Sequence, residues 1–218
     1  MKTIATTPLV DVRGKTITTY VVFEAAYAMK NMYVGAVLEL LTDDLEPIER
    51  DVAAWCTSTG HRLISSQPTP AGRSFTIEKG PATSRGTGLA VVISVDGLEE
   101  LLSPLGFALA AALNGMDVSL YFQGPAVRVL EDGFRPKLGG WGRPFSRFAA
   151  ASMTSSGHVP AQQKIRHLRD LGAKIYVCGG SMDHFKVKKE DLIFDDLPIV
   201  AYFTFISVLE KADVSLYL

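Results

Sequence analysis

The chain has 218 residues, room for one large domain or two small ones. Apolar residues make up 47% and charged residues 21%, so a core can form without staples, and a formal charge of −1 gives no general pull toward nucleic acid or anionic membrane. The only two cysteines, Cys56 and Cys178, fall in separate segments, which argues against a disulfide framework and suits a reducing, cytosolic setting.

The opening run MKTIATTPLVDVRG lacks the apolar stretch of a signal peptide, so no leader is expected. No segment reaches the roughly 18–20 apolar residues of a membrane span. The longest candidate, residues 197–209, contains Pro198, is stopped by Glu210 and Lys211, and is read as a buried helix.

Residues 1–80 read as a β-α-β-α-β-β module. A short strand at 9–12 closes at Arg13-Gly14, and Tyr20, Phe23 and Tyr27 recur at helical spacing within 19–31. An apolar strand follows at 35–42, with Asp43-Asp44 marking its turn. Residues 47–59 form a second helix, with Pro47 in its first turn and Gly60 as its stop. Strands at 62–67 and 74–79 make a hairpin around Pro68 to Gly72. This order predicts helices over one face of a small mixed sheet.

Residues 80–88, GPATSRGTG, carry the composition of a linker, so the modules are expected to divide as 1–80, a linker 81–87, and 88–218. The second module alternates strand and helix. Residues 89–95 are a buried strand, 98–114 a helix ended by Gly115, and 117–122 a second strand. Residues 161–171 form an amphipathic helix through Ile165, Leu168 and Leu171, and 174–177 a third strand. A helix at 198–211 and a strand at 214–218 close the chain. The fold class is therefore α/β, a small two-layer module followed by a parallel-sheet domain with helices on both faces.

Cys178 is the first candidate for chemistry. It ends a buried strand and runs into Gly179, Gly180 and Ser181, where a helix begins. Sites in parallel sheets form at the carboxyl ends of strands. The glycines would turn the backbone and bring N–H groups to the sulfur, and a helix start favours thiolate over thiol. A buried cysteine acting as a small hydrophobe is the competing reading, and position alone leaves both open. Asp96 and Gln123 end neighbouring strands on the same sheet edge. They either line the Cys178 pocket or serve only as turn residues in Asp96-Gly97 and Gln123-Gly124-Pro125.

The stretch from Ile175 through Cys-Gly-Gly-Ser-Met-Asp-His-Phe to Ile193, with the ending from Lys211 to Leu218, resembles the DsrE/DsrF-like family, in its peroxiredoxin-like branch. That resemblance implies a flavodoxin-like layered fold, a homo-oligomer, and sulfur relay through a persulfide on Cys178. The earlier module resembles the TusA/SirA family of small sulfur carriers. Asp11-Val-Arg-Gly14, Asp43-Asp44, Gly60-His61-Arg-Leu63 and Ile77-Glu-Lys79 carry the likeness. That family has a Cys-Pro pair where this chain has Ile17 and Thr18, so the module cannot carry persulfide sulfur in the family's way. A docking or stability role is expected for it.

The resemblance implies a sulfurtransferase or sulfur-relay protein working between donor and acceptor proteins, with Cys178 as carrier and Gly179 to Ser181 stabilising the anion. The alternatives are a non-catalytic assembly or regulatory protein, or a thiol oxidoreductase, which lacks a resolving cysteine nearby in sequence. No cofactor is expected. Two cysteines and four scattered histidines do not make a structural zinc set, and His184 is read as a solvated helix histidine. Residues 134–148 hold four basic residues and no acidic ones, with Trp141, Phe145 and Phe148 among glycines and prolines. They are read as a loop for subunit or partner contact rather than for nucleic acid.

Overall fold

A computed structural model of the chain describes residues 7–81 and 86–218. The central part of the expected linker, 82–85, lies outside the described residues. The chain packs as two compact units, and the short stretches Leu113–Gly115 and Met153–His158 belong to the first.

In the first unit β1 (Leu9–Asp11), α1 (Thr18–Met29), β2 (Val37–Thr42), α2 (Glu46–Thr59), β3 (Arg62–Thr69) and β4 (Gly72–Glu78) follow the β-α-β-α-β-β order read from sequence. The sheet runs β1-β2-β4-β3, with β1 parallel to β2 and the other pairs antiparallel. Strict alternation in β2 buries Leu38 and Leu40, which face Ile77 and Phe75 in register on β4. Against that face α1 and α2 bury Val21, Val22, Phe23, Met29, Ile48, Val52, Trp55 and Cys56.

The hairpin turn is tighter than the sequence suggests. Pro68 and Thr69 belong to β3, pairing with Arg73 and Gly72, and only Pro70-Ala71 remain as the turn. Gly72 is required there. Its φ is +138°, and a Cβ would stand 2.1 Å from the Thr42 carbonyl oxygen.

The second unit is a five-stranded, wholly parallel sheet in the order β8-β7-β6-β5-β9. Its strands are β5 (Gly88–Ile93), β6 (Asp117–Phe122), β7 (Lys174–Cys178), β8 (Ile199–Val200) and β9 (Val214–Tyr217), and its helices α3 (Leu102–Leu113), α4 (Ser146–Ser155), α5 (Ala161–Asp170), α6 (Gly179–Phe185) and α7 (Tyr202–Leu209). Strands β5 to β8 add in one direction and β9 returns to the far side of β5. Right-handed crossovers then put α7 on the face opposite α3 and α5.

Two expectations need correction here. The apolar run at 197–209 is not one buried helix: its start pairs with β7 as β8, and in α7 only Phe205 is buried, while Tyr202 and Phe203 are 61% and 87% exposed. Pro198 favours extended backbone around it, which periodicity did not weigh. Second, residues 134–148 are not a plain loop. Gly140–Phe145 is a 3₁₀ turn leading into α4, locked by Ser146, whose Oγ donates to the Arg143 carbonyl (2.7 Å) and accepts the Leu138 N–H (2.9 Å).

Gly72→Ala is expected to destabilise the protein by about 2 kcal/mol or more, through both φ and the clash with Thr42. Urea unfolding measures this, with Gly180→Ala as control, since a Cβ at Gly180 meets nothing within 4 Å.

Candidate functional site

Cys178 is the last residue of β7 and the N-cap of α6, with its side chain 4% exposed. The helix starts at Gly179, two residues earlier than Ser181, so Gly180 and Ser181 present first-turn N–H groups that have no partner within the helix. Neither Gly179 nor Gly180 has a positive φ, so glycine is not demanded here by a tight turn. A Cβ at Gly179 would lie 3.2 Å from Ile199 Cγ2, a tight contact to which that side chain would have to yield. Gly180 leaves open space on the exposed side of the thiol's helix.

Burial by itself would push the Cys178 thiol up, yet its pKa is lowered. The hydroxyls of Ser181 and Tyr121 and the N–H groups of Ser181 and Gly180 stand beside the sulfur as donors that favour its anion, and together they outweigh burial. Ser181 is oriented for this task. Its Oγ accepts the Gly124 N–H at 2.8 Å, leaving its O–H to donate to the sulfur. Gly124, with φ +54°, opens the 3₁₀ turn Gly124–Leu130 at the end of β6, so one bond ties the carboxyl ends of two adjacent strands.

Tyr121 was not singled out from the sequence. It pairs in register with Tyr176 on β7, and Cys178 lies two residues further along the same face. No local pattern marks it, because its relation to Cys178 lies in the register of the two strands.

Cys56 shows what burial does without donors. It is 2% exposed inside α2, and burial pushes its thiol up to about 12. A Cys56–His61 ligand pair has no support, because His61 Nδ1 accepts the Gly80 N–H (3.1 Å) and its ring packs edge-on against Trp55. Among the described residues no group of three or more His, Cys, Asp or Glu lies together to hold a metal. His184 lies in the last turn of α6, edge-on to Phe185, six residues from the sulfur.

Gln123 directly follows β6, one residue past the paired Phe122 and Val177, and its Nε2 donates to the Tyr217 hydroxyl at 2.9 Å. Asp96 is paired with Arg128, whose guanidinium also lies over the rings of Phe134 (5.8 Å) and Phe185 (5.5 Å). Asp96 and Arg128 line a cavity of about 360 Å³ with Phe134, Lys137 and Arg143, and Cys178 is not on its wall. Gly180, Ser181 and Tyr121 are thus the groups brought to the sulfur, and neither Asp96 nor Gln123 is among them.

In the first unit Ile17 is the N-cap residue of α1 and offers no side-chain hydrogen bond. Two of the segments that carry the likeness to small sulfur carriers, Asp11 to Gly14 and Asp43-Asp44, meet at the local turn. Arg13 makes three bonds to Asp11, two from its guanidinium (2.9 and 2.5 Å) and one from its backbone N–H (3.2 Å), and holds its carboxyl down at about 2, and Asp43 accepts the Gly14 N–H at 3.0 Å.

A donor-held thiol at the carboxyl edge of a parallel sheet defines the class, and comparison with known proteins gives the family. Residues 88–216, more than half of the chain, match the model of the DsrE/DsrF-like family, and the chain belongs to that family. Residues 10–79 match the model of sulfurtransferase TusA. Both are families of sulfur-relay proteins, which supports a general role in sulfur relay. No curated protein matches the chain. Solved structures similar to it include the ychN protein of E. coli, 18% identical with a TM-score of 0.46, covering 61% of this chain and 99% of that one. A conserved protein of unknown function from Bacteroides thetaiotaomicron, BT1422, is 13% identical with a TM-score of 0.41, covering 63% and 100%. No helix among the described residues is long and apolar enough to cross a membrane.

With limiting iodoacetamide at about pH 8, Cys178 is expected to be alkylated and Cys56 spared, as read by peptide mass mapping. Ser181→Ala removes one donor and is expected to slow the Cys178 reaction several-fold at that pH. Equal labelling of both cysteines would contradict the assignment.

Proposed function

We propose that the protein is a sulfurtransferase of the relay type, carrying a persulfide on Cys178 between a sulfane-sulfur donor and an acceptor thiol. What carries this reading is the place of Cys178 at a strand end and helix start, with the Ser181 and Tyr121 hydroxyls and the Ser181 and Gly180 N–H groups favouring the anion of a buried sulfur. A thiolate is the nucleophile, and the same donors suit the anion Cys–S–S⁻.

In the loading step the Cys178 thiolate attacks the outer sulfur of a donor persulfide. One S–S bond forms as another breaks, and the donor departs as a thiolate. In delivery an acceptor thiolate attacks the outer sulfur and Cys178 is the leaving group. Neither step has net oxidation or reduction, so neither needs a cofactor. Thiolates leave faster when their pKa is low, so the donors that make Cys178 available also help it release its cargo. Gly179 keeps the backbone close, and Gly180 and Ser181 supply the N–H groups. Gln123, at the end of the neighbouring strand, is assigned to positioning of the incoming compound, whereas Asp96, paired with Arg128 in a cavity that Cys178 does not line, is not.

The TusA-like module lacks a cysteine at Ile17, and its own Cys56 is buried without donors, so separate donor and acceptor proteins are implied. We assign that module to docking or stability. The exposed apolar side chains of α7, Tyr202, Phe203 and Ile206, support a homo-oligomer formed through the DsrE/DsrF-like domain. The fixed turn that presents Trp141, 99% exposed, with Arg143 supports a further partner contact. Two unpaired thiols fit a reducing, cytoplasmic compartment.

The test is intact mass after incubating reduced protein with polysulfide. Wild type and Cys56→Ser are expected to gain one sulfur atom, and Cys178→Ser none. Added small-molecule thiol then removes it. A sulfur adduct that survives in Cys178→Ser would overturn the reading, and no adduct in any form would favour a non-catalytic binding protein.

A further inference from the structure

Buried hydroxyls almost always have a hydrogen-bonding partner. Tyr121 departs from this: it is 2% exposed, and its hydroxyl has no partner of ordinary hydrogen-bond geometry. The ring is not loosely placed. It stacks on Phe205 of α7 with centroids 4.6 Å apart and planes 14° from parallel, and it meets Tyr202 edge-on at 6.4 Å. Register with Tyr176 puts Cys178 diagonally ahead of it on the same face, within reach of an aromatic side chain.

We propose that Tyr121 is a positioning residue for the sulfur of Cys178, its hydroxyl a donor held ready for the sulfur anion. The proposal rests on the persulfide reading of Cys178. A neutral thiol is a weak acceptor, which accounts for a hydroxyl that neighbours the sulfur yet makes no bond of ordinary geometry. A thiolate is a strong one, and charge-assisted bonds are shorter and stronger. Burial first, and then the neighbouring sulfur, raise the phenol's pKa, so the proton stays on oxygen and nothing is transferred. The contribution falls on thiolate: Cys178 as it attacks the donor's outer sulfur, and Cys178 again as the electron pair returns to it on delivery to the acceptor. Phe205 and Tyr202 hold the ring, so α7 is coupled to the reacting atom through one aromatic stack.

The test uses the full-length chain with Cys56→Ser, following the rate of Cys178 alkylation by iodoacetamide against pH. Tyr121→Phe keeps the ring and its stacking, and is expected to move the midpoint to higher pH and slow the reaction about tenfold near neutrality. Its melting temperature should hold or rise, because an unpartnered buried hydroxyl is removed. Tyr176→Phe, the register neighbour, is expected to leave the profile where it is. Should Tyr121→Phe fold poorly, 3-fluorotyrosine at position 121 gives a more acidic donor and is expected to move the midpoint down. A profile unmoved by both changes at Tyr121, or moved as far by Tyr176→Phe, overturns the proposal while Cys178 remains the carrier. A wild-type Cys178 that alkylates at no pH overturns both.

Discussion

The hydrogen bond from the Gly124 N–H to Ser181 Oγ is the constraint on which the site depends. It joins the end of β6 to the first turn of α6, directly after β7. With that acceptor role filled, the Ser181 hydroxyl has its proton to spend on the sulfur. Loss of the bond would free both the serine rotamer and the 3₁₀ turn that begins at Gly124.

The two cysteines separate burial from activation. Cys56 and Cys178 are both buried, yet burial raises the first thiol to about 12 while the second is lowered. Burial weighs less on Cys178, and the donors beside it more than offset what remains. Cys56 sits within α2, where backbone N–H groups are already used by the helix, whereas Cys178 caps a helix whose first N–H groups are open. Strand and helix order therefore decides which cysteine can react, and the parallel register of β6 and β7 adds a phenol that no local motif would announce.

Much of this was legible in the sequence because it rests on local pattern. The order of elements in the first unit, the buried run of β5 and the strand-end position of Cys178 follow from periodicity and from Gly and Pro punctuation. Tyr121 was not legible in that way, since its relation to Cys178 is cross-strand and needs the register. The strand at Ile199–Val200 was hidden because two residues beside Pro198 carry no period. The order around residues 134–148 depends on Ser146 and its bonds to Leu138 and Arg143, which composition alone reads as a loop. Asp96, placed by sequence on the thiol's edge, is paired with Arg128, a partner thirty-two residues away.

The most direct measurement of the central claim is the thiolate titration of Cys178, followed by its ultraviolet absorbance in the Cys56→Ser protein. The account predicts a midpoint below that of a free cysteine thiol, about 8.5, returning toward it when the protein is unfolded in urea. A folded-state midpoint at or above the unfolded one would mean that burial wins over the donors, and would contradict it.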